Sequence, residues 1–584
     1  MSLKTYFAFV VALLFPFVTV AQENDQPNIV MILVDDSALM DFGVYGGEAE
    51  TPNIDALAAR GAMFTQYRTS PLCSPTRAML LTGVDNHRTG IATIPEVIPP
   101  EQKGKRGYSM SLEPTVLTIG DHLRANGYRT LMTGKWHMGE TGNDMPHNHG
   151  FDRSFALAAS GADNWEDKSY MPYYAEAPWY EDGVSADLPE DFYSSKFIID
   201  KMMNYLEETD QTKPFLAYLP FQAIHIPVQA PPEFTAKYKG RFDRGWNELQ
   251  RARHERAQDL GFIRKGAPLA PMPEDARAWD DLDDETREIY AARMAVNAGM
   301  LTAMDHHIGR FVNYLKENGE YENTIFVVTS DNGPEPNRGD HDRRLAIWMK
   351  LSGYNIDLDG IGEKGSWGFI GTEWALAASS PGTLYKFYAT EGGIRAPLIM
   401  AGPGIAPMRV DSPAMVTDVT PTLLDMTRAS TDFVGFQSMT GRSLLPVLTG
   451  EAETVYGPDD VRAIEVSGNT ALYKGDYKIL RSVPPIGDGK WQLYNLSDDP
   501  GETRDLSQAE PERLQKLLQE YSRYKVSMGV LDMPFGYNSS AQIAANTVKR
   551  VRARYGRLFL LIGLVFSLGL WILIRRLRRR QRVK

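Results

Sequence analysis

From Asn28 onward the chain alternates short apolar runs with amphipathic stretches, and few folds satisfy that alternation. A run such as Ile29–Val34 offers apolar side chains to both faces, so it needs cover on both sides. The stretches between the runs carry the period and end signals of helices, which supply the cover. Thr51–Arg60 reads as a capped helix closed by Gly61, and Leu117–Asn126, Tyr193–Glu208 and Glu285–Asn318 read as further helices. Tyr128–Thr133, Phe215–Leu219, Ile325–Thr329 and Ala396–Met400 read as strands, and Thr420–Met426 starts another helix. The predicted fold class is α/β, with a large mixed, mainly parallel sheet flanked by helices.

After about Gly450 the texture changes. Arg462–Val466, Thr470–Lys474, Tyr477–Arg481 and Trp491–Asn495 are short strands at hairpin spacing, followed by a helix at Pro511–Tyr524. They predict a small C-terminal antiparallel sheet plus helix packed beside the main domain. The expected division is a main domain over 22–455, a subdomain over 456–527 and a polar linker over 528–557. Two long stretches, Glu140–Asp191 and Asp342–Thr383, receive no assignment; loops of that length in a compact domain are functional or disordered.

The two ends speak to compartment. Lys4, an apolar run from Tyr6 to Val20 and Ala21 before polar residues describe a secretory signal over 1–21, the alternative being an uncleaved anchor. Leu558–Ile574 holds 17 residues without a charge, between basic clusters, and predicts a transmembrane helix with a basic cytoplasmic tail over 575–584. The expected location is therefore exported and membrane-anchored, with the main body in the periplasm or outside. Residues 22–548 hold all 74 acids against 49 bases, so this body repels a phosphate backbone and nucleic acid is excluded as a general partner. Cys73 is the single cysteine, so no intrachain disulfide can form.

Four predicted strands end in polar residues that a fold does not need. Ile29–Val34 runs into Asp35-Asp36, Tyr128–Thr133 into Gly134-Lys135-Trp136-His137, Phe215–Leu219 toward His225, and Ile325–Thr329 into Ser330-Asp331-Asn332-Gly333. Each alone can be a cap or a turn. In an open parallel sheet, however, ligands sit outside the carboxyl ends of the strands, so all four groups would meet on one edge. Asp35, Asp36, Asp331 and Asn332 offer only oxygen ligands, which suits a hard cation, Ca²⁺ or Mg²⁺. Lys135, Lys386 and Arg77 would then make the pocket cationic and suited to an oxyanion. His137 and His225 read as acid/base groups, with zinc ligation the alternative.

Pro71-Leu72-Cys73-Ser74-Pro75-Thr76-Arg77 places a proline in the first turn of a helix, with Cys73 or Ser74 at the N-terminus, where free N–H groups favour anions. A lone cysteine is often an inert small hydrophobe; beside Arg77 it is an activated thiolate or something made from the thiol. Cys73-Ser74-Pro75-Thr76-Arg77 followed by Leu80-Leu81-Thr82-Gly83 resembles the signature of the type I sulfatases, which belong to the alkaline-phosphatase-like superfamily. Asp35-Asp36, Gly134-Lys135-Trp136-His137-Met138-Gly139, the segment around His225, Ser330-Asp331-Asn332-Gly333, and Lys386 ahead of Glu391-Gly392-Gly393-Ile394-Arg395 resemble that family's remaining motifs, and the region Arg251–Asp305 looks most like bacterial arylsulfatases. Thr76 stands where serine is commoner and Ala38 where glycine is usual.

The resemblance implies a sulfuric ester hydrolase acting on small sulfated substrates. It implies Cys73 oxidised to Cα-formylglycine (3-oxoalanine) by a maturation enzyme, and one Ca²⁺ on Asp35, Asp36, Asp331 and Asn332 that also contacts residue 73. Lys135, His225 and Lys386 would bind sulfate, His137 would act as base, and Arg77 would hold the nucleophile. Two alternatives stand beside it: a phosphodiesterase or phosphonate monoester hydrolase of the same superfamily, and a membrane-tethered binding protein whose Cys73 is never matured. The aromatic residues from Trp165 to Tyr180 would line a leaving-group pocket or simply pack a long loop.

Overall fold

The computed structural model describes residues 26–139, 142–172, 174, 176–339 and 343–581. Its main sheet has ten strands: β1 (Asn28–Val34), β2 (Gly61–Phe64), β3 (Arg129–Lys135), β4 (Arg153–Leu157), β5 (Trp179–Glu181), β6 (Val184–Ser185), β7 (Phe215–Pro220), β8 (Thr324–Ser330), β9 (Leu398–Ala401) and β10 (Met408–Val410). Their order is β10-β2-β9-β8-β1-β7-β3-β4-β5-β6. The central five, β8 through β4, are mutually parallel, while β9, β5 and β6 pair antiparallel toward the edges. The expectation of a mixed, mainly parallel sheet therefore holds.

Strand β1 shows why the apolar runs dictate this architecture. All seven of its residues are buried. Val30, Ile32 and Val34 join a core cluster on one face, with the helices Ser194–Glu208 and Asp284–Glu317. Ile29, Met31 and Leu33 join a second cluster on the other face, with the helices Cys73–Thr82, Ile119–Ala125 and Val419–Met426. Period-two alternation thus feeds two cores at once. The four strands that end in polar residues are consecutive, β8-β1-β7-β3, so their carboxyl ends form one continuous rim. Gly134 makes that rim possible: a Cβ there would lie 2.0 Å from the Pro220 carbonyl oxygen of the neighbouring strand.

The C-terminal strands β11 (Val461–Val466), β12 (Asn469–Lys474), β13 (Tyr477–Arg481) and β14 (Trp491–Asn495) form an antiparallel meander, followed by the helix Pro511–Met528. The two unassigned stretches contain structure. The first holds β4, β5 and β6, and the second holds the helices Arg343–Leu351 and Thr372–Ala378.

Two readings at the chain ends are affected. The signal segment over 1–21 lies outside the described residues. The transmembrane reading of 558–574 is corrected: among the described residues no helix is long and apolar enough to cross a membrane. The apolar run belongs to one helix, Ser539–Gln581, that begins well before it and carries basic residues on both sides of it. Seventeen residues is also the lower limit for a span. The membrane anchor, the membrane as a partner and the cytoplasmic tail fall with that reading.

Candidate active site

The rim gathers every residue that the motifs single out. Asp35, Asp36, Cys73, Arg77, Lys135, His137, His225, Asp331, Asn332 and Lys386 are all buried, and side-chain contacts tie most of them into one cluster. Asp35 and Asp36 follow β1, Lys135 ends β3, and Asp331 and Asn332 follow β8. Cys73 opens its helix with Leu72 as the extended N-cap, as Pro75 predicts. Its Sγ lies 3.6 Å from Asp35 Oδ1 and 3.8 Å from Asp36 Oδ1. Ser74 does not face this cluster by its hydroxyl, which donates to the His137 carbonyl at 2.7 Å and ties the two motifs together.

Ligand atoms of Asp35, Asp36, Cys73 and Asp331 all lie within 4.8 Å of one another. Asn332 Nδ2 donates to Asp36 at 2.6 Å, while its buried Oδ1 has no hydrogen-bond partner. A buried acceptor without a donor is costly unless a cation completes it, so the donor set fits a hard metal ion. Asp35 reports the same crowding: burial, reinforced by Asp331 and Asp36 and opposed by Lys135, pushes its carboxyl up to about 8.

The cations are fixed as tightly. Lys135 Nζ contacts Asp35 Oδ2 at 2.5 Å. Arg77 donates to Asp331 at 2.8 and 3.1 Å and to the Lys135 carbonyl at 2.9 Å. Lys386 Nζ lies 2.8 Å from Asp36 Oδ1 and 2.8 Å from Glu335 Oε2. Burial disfavours the Lys386 ammonium, but Asp36, the Cys73 sulfur and Glu335 outweigh it and hold it well above the usual lysine range.

The two histidines are held neutral. Burial first, then Lys135 and Arg77, keep His137 well below the usual range, and neither of its ring nitrogens has a hydrogen-bond partner. Burial, Lys135 and Lys386 do the same for His225. His225 Nδ1 donates to the Ile226 carbonyl at 2.6 Å, so Nε2 is the acceptor and faces Asp36 Oδ2 at 3.8 Å. Asp36 and His137 adopt left-handed backbone with φ of 68° and 55°. Non-glycine residues held there carry strain of roughly 1–3 kcal/mol, a cost concentrated at functional sites.

The sulfatase family model matches residues 27–429, most of the chain. The chain is a sulfatase. It is 34% identical over 539 residues to an uncharacterized sulfatase of Schizosaccharomyces pombe, covering 88% of this chain and 96% of that one. It is also 34% identical over 422 residues to an arylsulfatase of Klebsiella aerogenes, covering 69% and 87%. Among solved structures, Ps i-CgsB in complex with k-i-k-neocarrahexaose shares the fold, with a TM-score of 0.62 at 22% identity over 91% of this chain and 99% of that one. The sulfatase is accordingly a sulfuric ester hydrolase, and its substrates carry a sulfate group.

Sequence reading missed one residue of this sulfatase's site. Glu335 is buried, bonds Lys386, and lies with Asp36 and His225 in a second close group. Its signal was faint: it follows Asp331-Asn332-Gly333-Pro334 by one position, on a loop past the strand end. Tyr170 packs edge-on to the His225 ring at 5.3 Å. The rest of the aromatic stretch divides. Tyr174 stacks on Tyr170, whereas Trp179 stacks on Phe155 in the core. Gly161 lets the loop close over His225, since a Cβ there would meet Nδ1 at 2.8 Å.

Proposed function

We propose that this sulfatase hydrolyses aryl-type sulfate esters to a phenol or alcohol and inorganic sulfate, using a formylglycine made from Cys73 and one Ca²⁺. The observation that carries the reading is the seat of Cys73. It stands at a helix N-terminus, against three carboxylates and an amide, with Lys135, Lys386, His137 and His225 around it. The arylsulfatase of Klebsiella aerogenes supports an aryl sulfate as the first substrate to test.

Asp35, Asp36, Asp331 and Asn332 would hold the metal, which when bound polarises a sulfate oxygen and offsets the crowded carboxylates. The aldehyde hydrate at position 73 supplies the hydroxyl nucleophile. Arg77, pinned between Asp331 and the Lys135 carbonyl, fixes the floor beneath that nucleophile. Lys135 and Lys386 point their ammonium groups where sulfate oxygens gather charge. Lys386 is the better donor to the departing oxygen, because His225 Nδ1–H is committed to Ile226 and a neutral ring has no second proton. Of the three Lys386 protons, Asp36 and Glu335 take two, which leaves one for the leaving group. His225 Nε2 receives a proton and binds sulfate only when an anion enters. His137, neutral and with both ring nitrogens open, takes up the proton released at position 73.

Mass spectrometry of the peptide spanning 62–77 from active protein tests the reading. An aldehyde at position 73 is expected; a fully alkylatable thiol in active enzyme overturns it. Relative kcat/KM for matched aryl sulfate, phosphate monoester and phosphonate esters should favour sulfate. Conversion of Cys73 would require a maturation enzyme, and residues 1–21 would direct export; a mature N-terminus near Gln22 is the expected product.

A further inference from the structure

In one patch where the C-terminal subdomain meets the main domain, around Glu391, buried charge does not balance. Four cations are buried there: Arg68, Arg395, Arg462 and Lys478. Two buried carboxylates, Glu391 and Glu502, face them. Glu391 is fully engaged. It accepts from Arg68 at 2.7 Å, from Lys478 at 3.0 Å and from the Tyr473 hydroxyl at 2.7 Å. Glu502 pairs with Lys478 at 2.6 Å. Arg395 and Arg462 share in none of this. Arg395 donates to the carbonyls of Thr65 at 2.8 Å and Phe262 at 3.1 Å, and among the described residues it forms no ion pair. Arg462 stacks near Tyr456 and Tyr473, and its buried Nε and Nη1 have no hydrogen-bond partner. Burial and the neighbouring Arg68 push both guanidiniums down to about 10, so each feels the excess of positive charge.

Beside these groups lies a cavity of about 190 Å³, lined by Gln66, Arg68, Arg264, Glu391, Arg395 and Ser497. It is large enough for several waters of about 30 Å³ each, or for one tetrahedral oxyanion with water. Three of its six polar lining residues are arginines, and its one carboxylate has its oxygens already taken. Arg264 and Ser497 are exposed at its mouth, so an ion can reach it from solvent. Buried unpaired charge is costly, and planar guanidiniums bind tetrahedral oxyanions through paired N–H groups.

We propose that this cavity binds a doubly charged oxyanion, inorganic sulfate, and that the bound anion clamps the C-terminal subdomain to the catalytic domain. Arg395 lines the cavity without an ion-pair partner, and a bound oxyanion supplies the one it lacks. The ligand is also the product of the enzyme's own reaction, so the clamp would tighten where turnover raises local sulfate.

The test separates this site from product binding at the catalytic centre. Sulfate titrations by calorimetry, with sodium chloride at matched ionic strength as control, are run on the full chain carrying Lys135→Ala, which weakens the catalytic site. One sulfate per chain should still bind, and the melting temperature should rise above that in chloride. Adding Arg264→Gln, at the exposed mouth, should weaken that binding by about 5- to 20-fold, in line with loss of one charge-assisted contact. Arg395→Gln should abolish it; if that variant fails to fold, Arg264→Gln carries the decision. The proposal is overturned if sulfate stabilises the Lys135→Ala chain no more than chloride does, or if Arg264→Gln leaves its sulfate affinity unchanged.

Discussion

The catalytic rim and the seam with the C-terminal subdomain are both packed with buried charge, yet they are unbalanced in opposite directions. At the rim, Asp35, Asp36, Asp331 and Glu335 face Arg77, Lys135 and Lys386, an excess of one negative charge before any metal arrives. In the patch of the seam around Glu391, Arg68, Arg395, Arg462 and Lys478 face Glu391 and Glu502, an excess of two positive charges. A dication at the rim would leave that pocket with one net positive charge, the sign that draws a sulfate ester. The seam has no reaction to run, so it can hold its anion outright. The sign and size of a buried imbalance thus indicate the kind of ion a cluster is built to receive.

The comparison breaks first at the nucleophile. Cys73→Ala should lower kcat by at least about 10⁴-fold in aryl sulfate assays, the scale of losing a nucleophile, while leaving the seam intact. Retained turnover would refute the role of Cys73. Removing divalent metal by chelation should cost on the order of 10²-fold or more in kcat, recovered by Ca²⁺. Sulfate-dependent stabilisation of the Lys135→Ala chain should persist through the same treatment. If both properties respond to chelation together, the two clusters are not independent.

Glu335→Gln should reduce kcat about 10- to 100-fold, the value of a charged hydrogen bond that positions Lys386. Its melting temperature should stay close to that of the parent, because a buried carboxylate is exchanged for an uncharged amide. Glu335→Asp should recover part of the rate. A parallel collapse of stability and rate would mark Glu335 as structural only.

The last contrast lies at the seam. His87 Nδ1 lies 3.0 Å from Asp85 and its Nε2 lies 2.6 Å from Glu465 on β11, so it ties the segment after the Cys73 helix to the C-terminal meander. Burial opposes its charge, but hydrogen bonds to Asp85 and Glu465 prevail and push its pKa up to about 9, from 6.5 when unfolded. A raised folded pKa gives stability that is complete below about 6.5 and is lost as pH climbs through about 9. That window corresponds to about 3 kcal/mol. Melting curves from pH 6 to 9.5 should show the decline, and His87→Gln should flatten it. An equally steep decline in the variant would show that another group, and not His87, carries the pH dependence.

The rim was legible in the sequence and the seam was not, for a physical reason. Asp35-Asp36, Lys135, Asp331 and Asn332 each sit where an apolar run stops, so the polar interruption stands out and parallel pairing brings the interruptions together. Arg68, Arg395 and Arg462 are single arginines in unrelated segments, and nothing local says that they meet. The helix Gly245–Asp259 escaped for a related reason: its inner face is held by Arg253 bonding Asp41 and Glu48 more than by an apolar stripe. The C-terminal helix misled in the opposite sense. The 17 uncharged residues over 558–574 stood out in the sequence, and the continuous 43-residue helix that contains them did not.

That helix also enters the wall of the rim. Ile543 packs in one cluster with Leu72 and Phe387, the chain neighbours of Cys73 and Lys386. A polypeptide leaves the ribosome amino end first, and its domains fold as they emerge. The wall around residue 73 is therefore incomplete until Ile543, 470 residues later in the chain, has emerged as well. Residue 73 thus leaves the ribosome long before its surroundings are finished, and in that interval it stands within reach of other proteins.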